Sequence, residues 1–177
     1  MAGDSRRAVE GQGSQPCAAQ VSGRLSIPMR IYVDADACPV KPEVYRVAKR
    51  HGVGVTLVAA TWLRVPPVQD VALEVVEAGL DAADEWIASH AGAGDVVVTA
   101  DIPLAARCVA NGARVLGPTG QPFTEENVGE ALATRNLLAD LRGAGLETTT
   151  GPAPFDARDR SRFLQALDET LHALRRE

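Results

Sequence analysis

A chain of 177 residues, 46% hydrophobic and 23% charged, has the size and make-up of one soluble globular domain with a real core. Its net charge of −5 at pH 7 excludes broad electrostatic adhesion to nucleic acid, but not a local basic groove. Cys17, Cys38 and Cys108 show no CxxC spacing, so neither a disulfide framework nor a zinc site is suggested, and no apolar run reaches the length of a membrane span; a reducing cytoplasm fits.

Residues 1–28, rich in Gly, Ser, Gln and Ala without sustained apolar periodicity, read as a disordered extension ahead of a single domain over 29–177. Arg6-Arg7 has no apolar core behind it, which argues against a secretory or twin-arginine signal. Residues 30–34 read as the first strand, followed by a helix from Val40 to Arg50 that stops at His51-Gly52. VGVTLVAA (53–60) is a second strand, and a loop with Pro66-Pro67 leads to a short third at 71–76. A helix over 79–92, entered through Asp81, precedes a fourth strand at 95–100. A helix over 102–111 and a fifth strand at 113–117 follow. Thr124 can cap a long helix to Arg142, a Gly/Thr/Pro connector comes next, and a last helix spans 157–175. Strands alternating with helices predict a three-layer α/β fold around a mostly parallel sheet of about five strands.

Two segments, IYVDADACP and VVVTADIP, each end a branched apolar run with aspartate where a helix begins. In an open parallel sheet such strand ends converge on the edge where ligands bind. Asp34, Asp36 and Asp101 are therefore candidates for one acidic cluster, with Asp81 or Asp84 joining from the helix after the third strand. Asp36 reads equally well as a helix cap, and Asp101 before Ile102-Pro103 reads as a cap that still leaves one oxygen for a metal. Two carboxylates about 4 Å apart repel by roughly 4 kcal/mol at an effective dielectric of about 20. A bound Mg²⁺ or Mn²⁺ reverses that penalty, and carboxylates on such an ion suit phosphoryl chemistry. Lys41, Arg64, Arg107 and Arg135 are candidate substrate-holding cations, with Asn136 as a neutral partner, while Thr99 can bond a phosphate or the loop backbone.

The stretches IYVDADACPV, TLVAATWLRVPP, AGLDAADEWI, GDVVVTADIPLAARCVANGARVLGP, FTEENVGEALATRNLLADLR and TGPAPFDARDRSRF resemble the uncharacterised bacterial YaiI/YqxD family. They cover nearly everything from Met29 to the last helix. That family resembles in turn the PIN-like nuclease superfamily, through an Asp after the first strand and the turn Thr99-Ala100-Asp101. The resemblance implies a PIN-like fold, Mg²⁺ or Mn²⁺ on clustered acids, and RNA as substrate. By position it makes Asp34 and Asp101 the leading metal ligands and catalytic residues, with Asp84 or Asp81 as the intermediate acid where many PIN domains carry Glu. Two Trp, two Tyr and three Phe leave few platforms for stacking bases. A non-catalytic metal- or RNA-binding regulatory module with the same fold is the contrasting reading.

Asp34-Ala35-Asp36 also resembles the opening of haloacid-dehalogenase-type phosphatases. The only lysines are Lys41 and Lys49, both ahead of Thr99, so the later charge-neutralising lysine is missing from that pattern and from a receiver domain. Cys38 lies in an electronegative neighbourhood that opposes thiolate formation, and Cys108 reads as core. His51 and His90 fall near helix C-termini, and no histidine pairs with a plausible nucleophile. Arg158, Asp159, Arg160 and Arg162 read as a capped, ion-paired helix opening. Trp62 and Trp86 read as packing residues, and no Walker or GxGxxG loop occurs.

Overall fold

The computed structural model describes residues 29–36, 38–67, 70–77, 79, 81–143 and 155–177. The extension expected over 1–28, and the connector from 144 to 154, lie outside them. The elements in order are β1 (Arg30–Asp34), α1 (Lys41–His51), β2 (Gly54–Ala59), β3 (Val71–Val75), α2 (Ala82–His90), β4 (Val96–Val98), α3 (Ile102–Ala110), β5 (Arg114–Leu116), β6 (Pro122–Phe123), α4 (Glu125–Gly143) and α5 (Ala157–Leu174).

The strands form one six-stranded sheet in the order β3-β2-β1-β4-β5-β6. All pairings are parallel except β6 against β5. The sixth strand is an addition to the five expected. It has two residues, the first a proline, and so carries no readable alternation; a proline is tolerated there because the strand is an edge.

Strand alternation sorts the side chains into two cores. Ile31, Val33, Val55, Leu57, Val96 and Val98 face one way, onto Val44 and Val47 of α1 and Phe163, Leu167 and Leu171 of α5. Tyr32, Val58, Val97 and Val115 face the other way, onto Ile87, Leu104 and Cys108 of α2 and α3 and Val128 of α4. Helices on both faces of a mostly parallel sheet make this a three-layer α/β fold. Among its described residues the link from β2 to β3 contains no helix; Leu63 and Val65 pack onto the first core instead.

Local signals end the elements where they should. Gly52 takes φ 61°, the left-handed conformation that favours glycine, and its N–H closes α1 on Ala48 and Lys49. Asp156 and Asp159 form a reciprocal capping box at the start of α5. Arg162 then pairs with Asp159, and Arg160 reaches Glu43 on α1 at 3.2 Å. The capped, ion-paired opening expected for this helix is what forms.

The chain builds β1, β2 and β3 outward in one direction, then returns through α2 to place β4 on the other side of β1. The gap between the C-terminal ends of β1 and β4 is therefore a topological switch point, where an open α/β sheet leaves a crevice. Both strand-ending aspartate segments deliver their acids there.

Candidate functional site

Register brings the first two residues of the site together. Val33 pairs with Val98, so one step further Asp34 stands beside Thr99, with side chains on the same face by alternation. Asp34 is 7% exposed and Thr99 1%. The Thr99 hydroxyl donates to Asp34 Oδ2 at 3.0 Å and accepts the Asp101 N–H at 2.9 Å. Asp101 in turn caps α3, its Oδ1 accepting the Leu104 N–H at 2.8 Å. One buried threonine thus ties the end of β1 to the turn that opens α3. Both bonds are internal, which favours the loop-backbone role of Thr99 over direct phosphate binding.

Asp36 is not a helix cap. The N-cap position of α1 is Val40, without a side-chain bond, and Asp36 Oδ2 instead accepts the Ala60 N–H at 3.0 Å. Its carboxylate pins the end of β2 across the sheet edge. Asp81 occupies the N-cap position of α2 at φ 61° but makes no side-chain cap, and Asp84 makes none either. The helix is entered through Asp81 as its sequence suggests, but neither acid caps it by its side chain. A left-handed N-cap turns the Asp81 backbone away from the extended conformation that lets a cap reach back to the second or third residue.

The acids share one electrostatic environment. Burial, then the charges of Asp101, Asp34 and Asp81, push the Asp84 carboxyl up to about 6, with Arg107 opposing. Burial also raises Asp34, reinforced by Asp36 and Asp101 and opposed by the Thr99 hydrogen bond. Asp34, Asp84 and Asp101 therefore lie near enough to repel. They do not converge tightly: among the described residues, the one trio with ligand atoms within 4.8 Å of one another is elsewhere, at His51, Asp168 and His172.

The expected cations lie on four different segments. Lys41, at the start of α1, donates its ammonium to the Ala35 carbonyl, next to Asp34. Arg107 pairs with Glu85 at 2.7 Å and acts on Asp84 through its charge. Arg64 is exposed in the loop after β2. Arg135 and Asn136 lie on exposed α4, bonded to each other at 3.3 Å. A groove of about 550 Å³ runs from Ile102, beside Asp101, along α4 past Asn127, Thr134, Arg135 and Arg142.

Trp62 departs from the packing role that its sequence suggests. It is 74% exposed, two residues beyond the Ala60 that Asp36 holds, so it is no packing residue. The available signal was the alternation around it: Leu63 and Val65 pack onto the core, which leaves Trp62 and Arg64 exposed between them. Trp86 does pack, edge-on to Tyr32 at 6.1 Å between ring centroids and stacked on His90 at 3.7 Å. Burial pushes the Cys38 and Cys108 thiols up to about 11, which leaves neither a nucleophile at neutral pH.

A doubly wound α/β fold with aspartates gathered at its switch point defines the class of this protein. Within that class the chain belongs to the uncharacterized YaiI/YqxD family, whose model matches residues 32–173. It is 60% identical over 151 residues to a UPF0178 protein of Bradyrhizobium diazoefficiens, covering 84% of this chain and 89% of that relative. UPF0178 proteins of Rhodopseudomonas palustris strain BisB18 and Nitrobacter winogradskyi are each 56% identical, over 84% of this chain and 96% and 94% of their own lengths. No solved structure matches the chain. None of the helices among the described residues is long and apolar enough to cross a membrane.

Proposed function

We propose that this chain is a PIN-like, divalent-metal-dependent phosphodiesterase of the cytoplasm acting on RNA, with Mg²⁺ or Mn²⁺ held by Asp34, Asp84 and Asp101. The observation that carries the reading is the pair Asp34 and Asp101, on neighbouring strand ends at the switch point and joined through Thr99. Asp84 faces the same charges from α2, and Asp36 and Asp81 add negative charge at the margin. The donor set fits: carboxylate oxygens suit hard ions, and repulsion among them is relieved by a cation. The loose spacing of the acids suits Mg²⁺, which keeps several waters and takes only one or two carboxylates directly.

When bound, such an ion polarises a phosphoryl oxygen and lowers the pKa of an attacking water. The chain's own residues supply the rest. Lys41 and Arg107 bring positive charge beside the acids for phosphates, Arg135 lines the groove along α4 that leads away from Asp101, and Arg64 is a further exposed cation in the loop after β2. Trp62 offers an indole face on which an unpaired base can stack. Thr99 works as a positioning residue, holding the Asp34 carboxylate and the Asp101 backbone in fixed relation.

The separation of the carboxylates favours one second reading, a metal- or RNA-binding regulatory module without turnover. A panel of single-stranded and hairpin RNAs with Mg²⁺ or Mn²⁺ separates the two. The nuclease reading expects cleavage by the wild type and a loss on the order of a hundredfold in Asp34→Asn and in Asp101→Asn. It also expects Trp62→Ala to weaken single-stranded RNA binding by about 1–3 kcal/mol. Tight binding with no cleavage at any metal concentration selects the regulatory module. If both asparagine variants cut like the wild type, the site is wrong.

A further inference from the structure

At the sheet edge opposite the aspartates, the far ends of α1 and α5 bring together His51, Asp168 and His172. The two helices run side by side in the same direction, since Arg160 meets Glu43 near their starts and Asp168 meets His51 near their ends. Asp168 and His172 are four apart on α5 and so share one helix face. His51 is the last residue of α1, and the left-handed Gly52 stops the helix directly after it. Its side chain is only 2% exposed, with Nε2 at 2.8 Å from Asp168 Oδ1. His172 Nε2 lies 3.5 Å from Asp168 Oδ2, and the two imidazole rings meet edge-on with centroids 4.6 Å apart.

We propose that this trio is a transition-metal site, for Zn²⁺ or an ion of like chemistry, that fastens the end of α5 to α1. One ligand atom from each of the three residues lies within 4.8 Å of the other two. Ligands around a tetrahedral Zn²⁺ stand roughly 3.3–3.5 Å apart, so closure asks for about an ångström of movement. His172 can supply it, because its side chain is 59% exposed. Two imidazoles and a carboxylate suit Zn²⁺ and its neighbours better than Mg²⁺, and the open side at His172 leaves room for water to complete the shell.

Arg50 is the competitor. Its guanidinium sits 2.9 Å from Asp168 Oδ1, the oxygen that His51 also meets, and its side chain is 62% exposed, so it can turn into solvent. A plain ion-pair network of Arg50, Asp168 and His51 has no need of His172. That residue therefore discriminates between the two readings, and its exposure makes His172→Ala safe for the fold.

The test titrates the full chain with Zn²⁺ by calorimetry and with Co²⁺ by visible absorption, and follows thermal melting with and without Zn²⁺. The expected result is one ion per chain whose binding, Co²⁺ band and rise in melting temperature are retained in Asp34→Asn. His172→Ala should weaken binding on the order of tenfold or more and abolish the melting shift. Arg50→Gln should tighten binding severalfold by removing the competing cation. Zn²⁺ affinity unchanged in His172→Ala, or no stoichiometric binding by the wild type, overturns the proposal. So does binding that is lost in Asp34→Asn yet kept in His172→Ala, which would put the ion on the acidic edge. RNA cleavage is read in a separate assay, and none of these outcomes removes it, so the two proposals fail separately.

Discussion

Thr99 is the residue on which the acidic edge turns, because its single hydroxyl serves two partners that the chain places 65 and 2 residues away. It is buried, and both bonds are made through that one hydroxyl. Thr99→Val keeps the shape and removes the bonds. Losing both bonds at this buried position should cost about 1–3 kcal/mol, read as a lower urea midpoint at unchanged slope. A variant as stable as the wild type would remove Thr99 from its positioning role. The sequence alone left its hydroxyl with two possible partners, phosphate or loop. Only the register of β1 with β4 decides, and register between strands so far apart in the chain is a long-range property. Asp36 is the same case: a local rule suggested a cap, but the donor it meets is Ala60, 24 residues on.

Among the elements, those with strong local patterns were legible to within a few residues. Gly52 and the Asp156–Asp159 box act within a single turn, and the apolar runs of β1, β2 and β4 exceed any competing signal. β6 was not legible, since two residues beginning with proline hold no period, and its existence depends on the turn before it. That turn is built on Gly117 and Gly120, with the Gly120 N–H bonded to the Gly117 carbonyl at 2.9 Å. Gly120 has φ 83°, and a Cβ there would stand 2.8 Å from the Arg162 backbone of α5. Flexible side chains yield to such a contact, but a helix backbone does not. Gly120→Ala should therefore cost more than about 1 kcal/mol in a chemical denaturation experiment, from backbone strain and the displacement of α5 together. An unchanged midpoint would mean that the β5–β6 turn is not seated against α5 as described.

For the whole molecule, the sheet order converts two local motifs into one site. The repeated pattern of a strand ending in aspartate was visible in the chain, whereas the neighbourhood of β1 and β4 follows from the crossover through α2. The same crossover brings Asp84 among Asp34, Asp81 and Asp101, and the metal-free protein bears the resulting repulsion. Its sign can be worked out. The folded Asp84 carboxyl titrates near 6, above its ordinary value of 3.8, so between these values the folded state holds a proton that the unfolded state has released. Stability from this group is present below about pH 4 and is lost as pH rises through 6. In EDTA, Asp84→Asn should therefore melt higher than the wild type at pH 7.5, with the gap closing as pH falls toward 4. Added Mn²⁺ should reverse the ranking, because the wild type gains a bound ion that stabilises the fold while the asparagine variant has lost a ligand. Melting curves at two pH values, with and without Mn²⁺, test both signs at once. A wild type indifferent to Mn²⁺ but raised by Asp84→Asn would keep the electrostatic cluster and remove its metal. A variant that melts lower in EDTA at pH 7.5 would show that Asp84 contributes to the fold by contacts outweighing the repulsion of its neighbours.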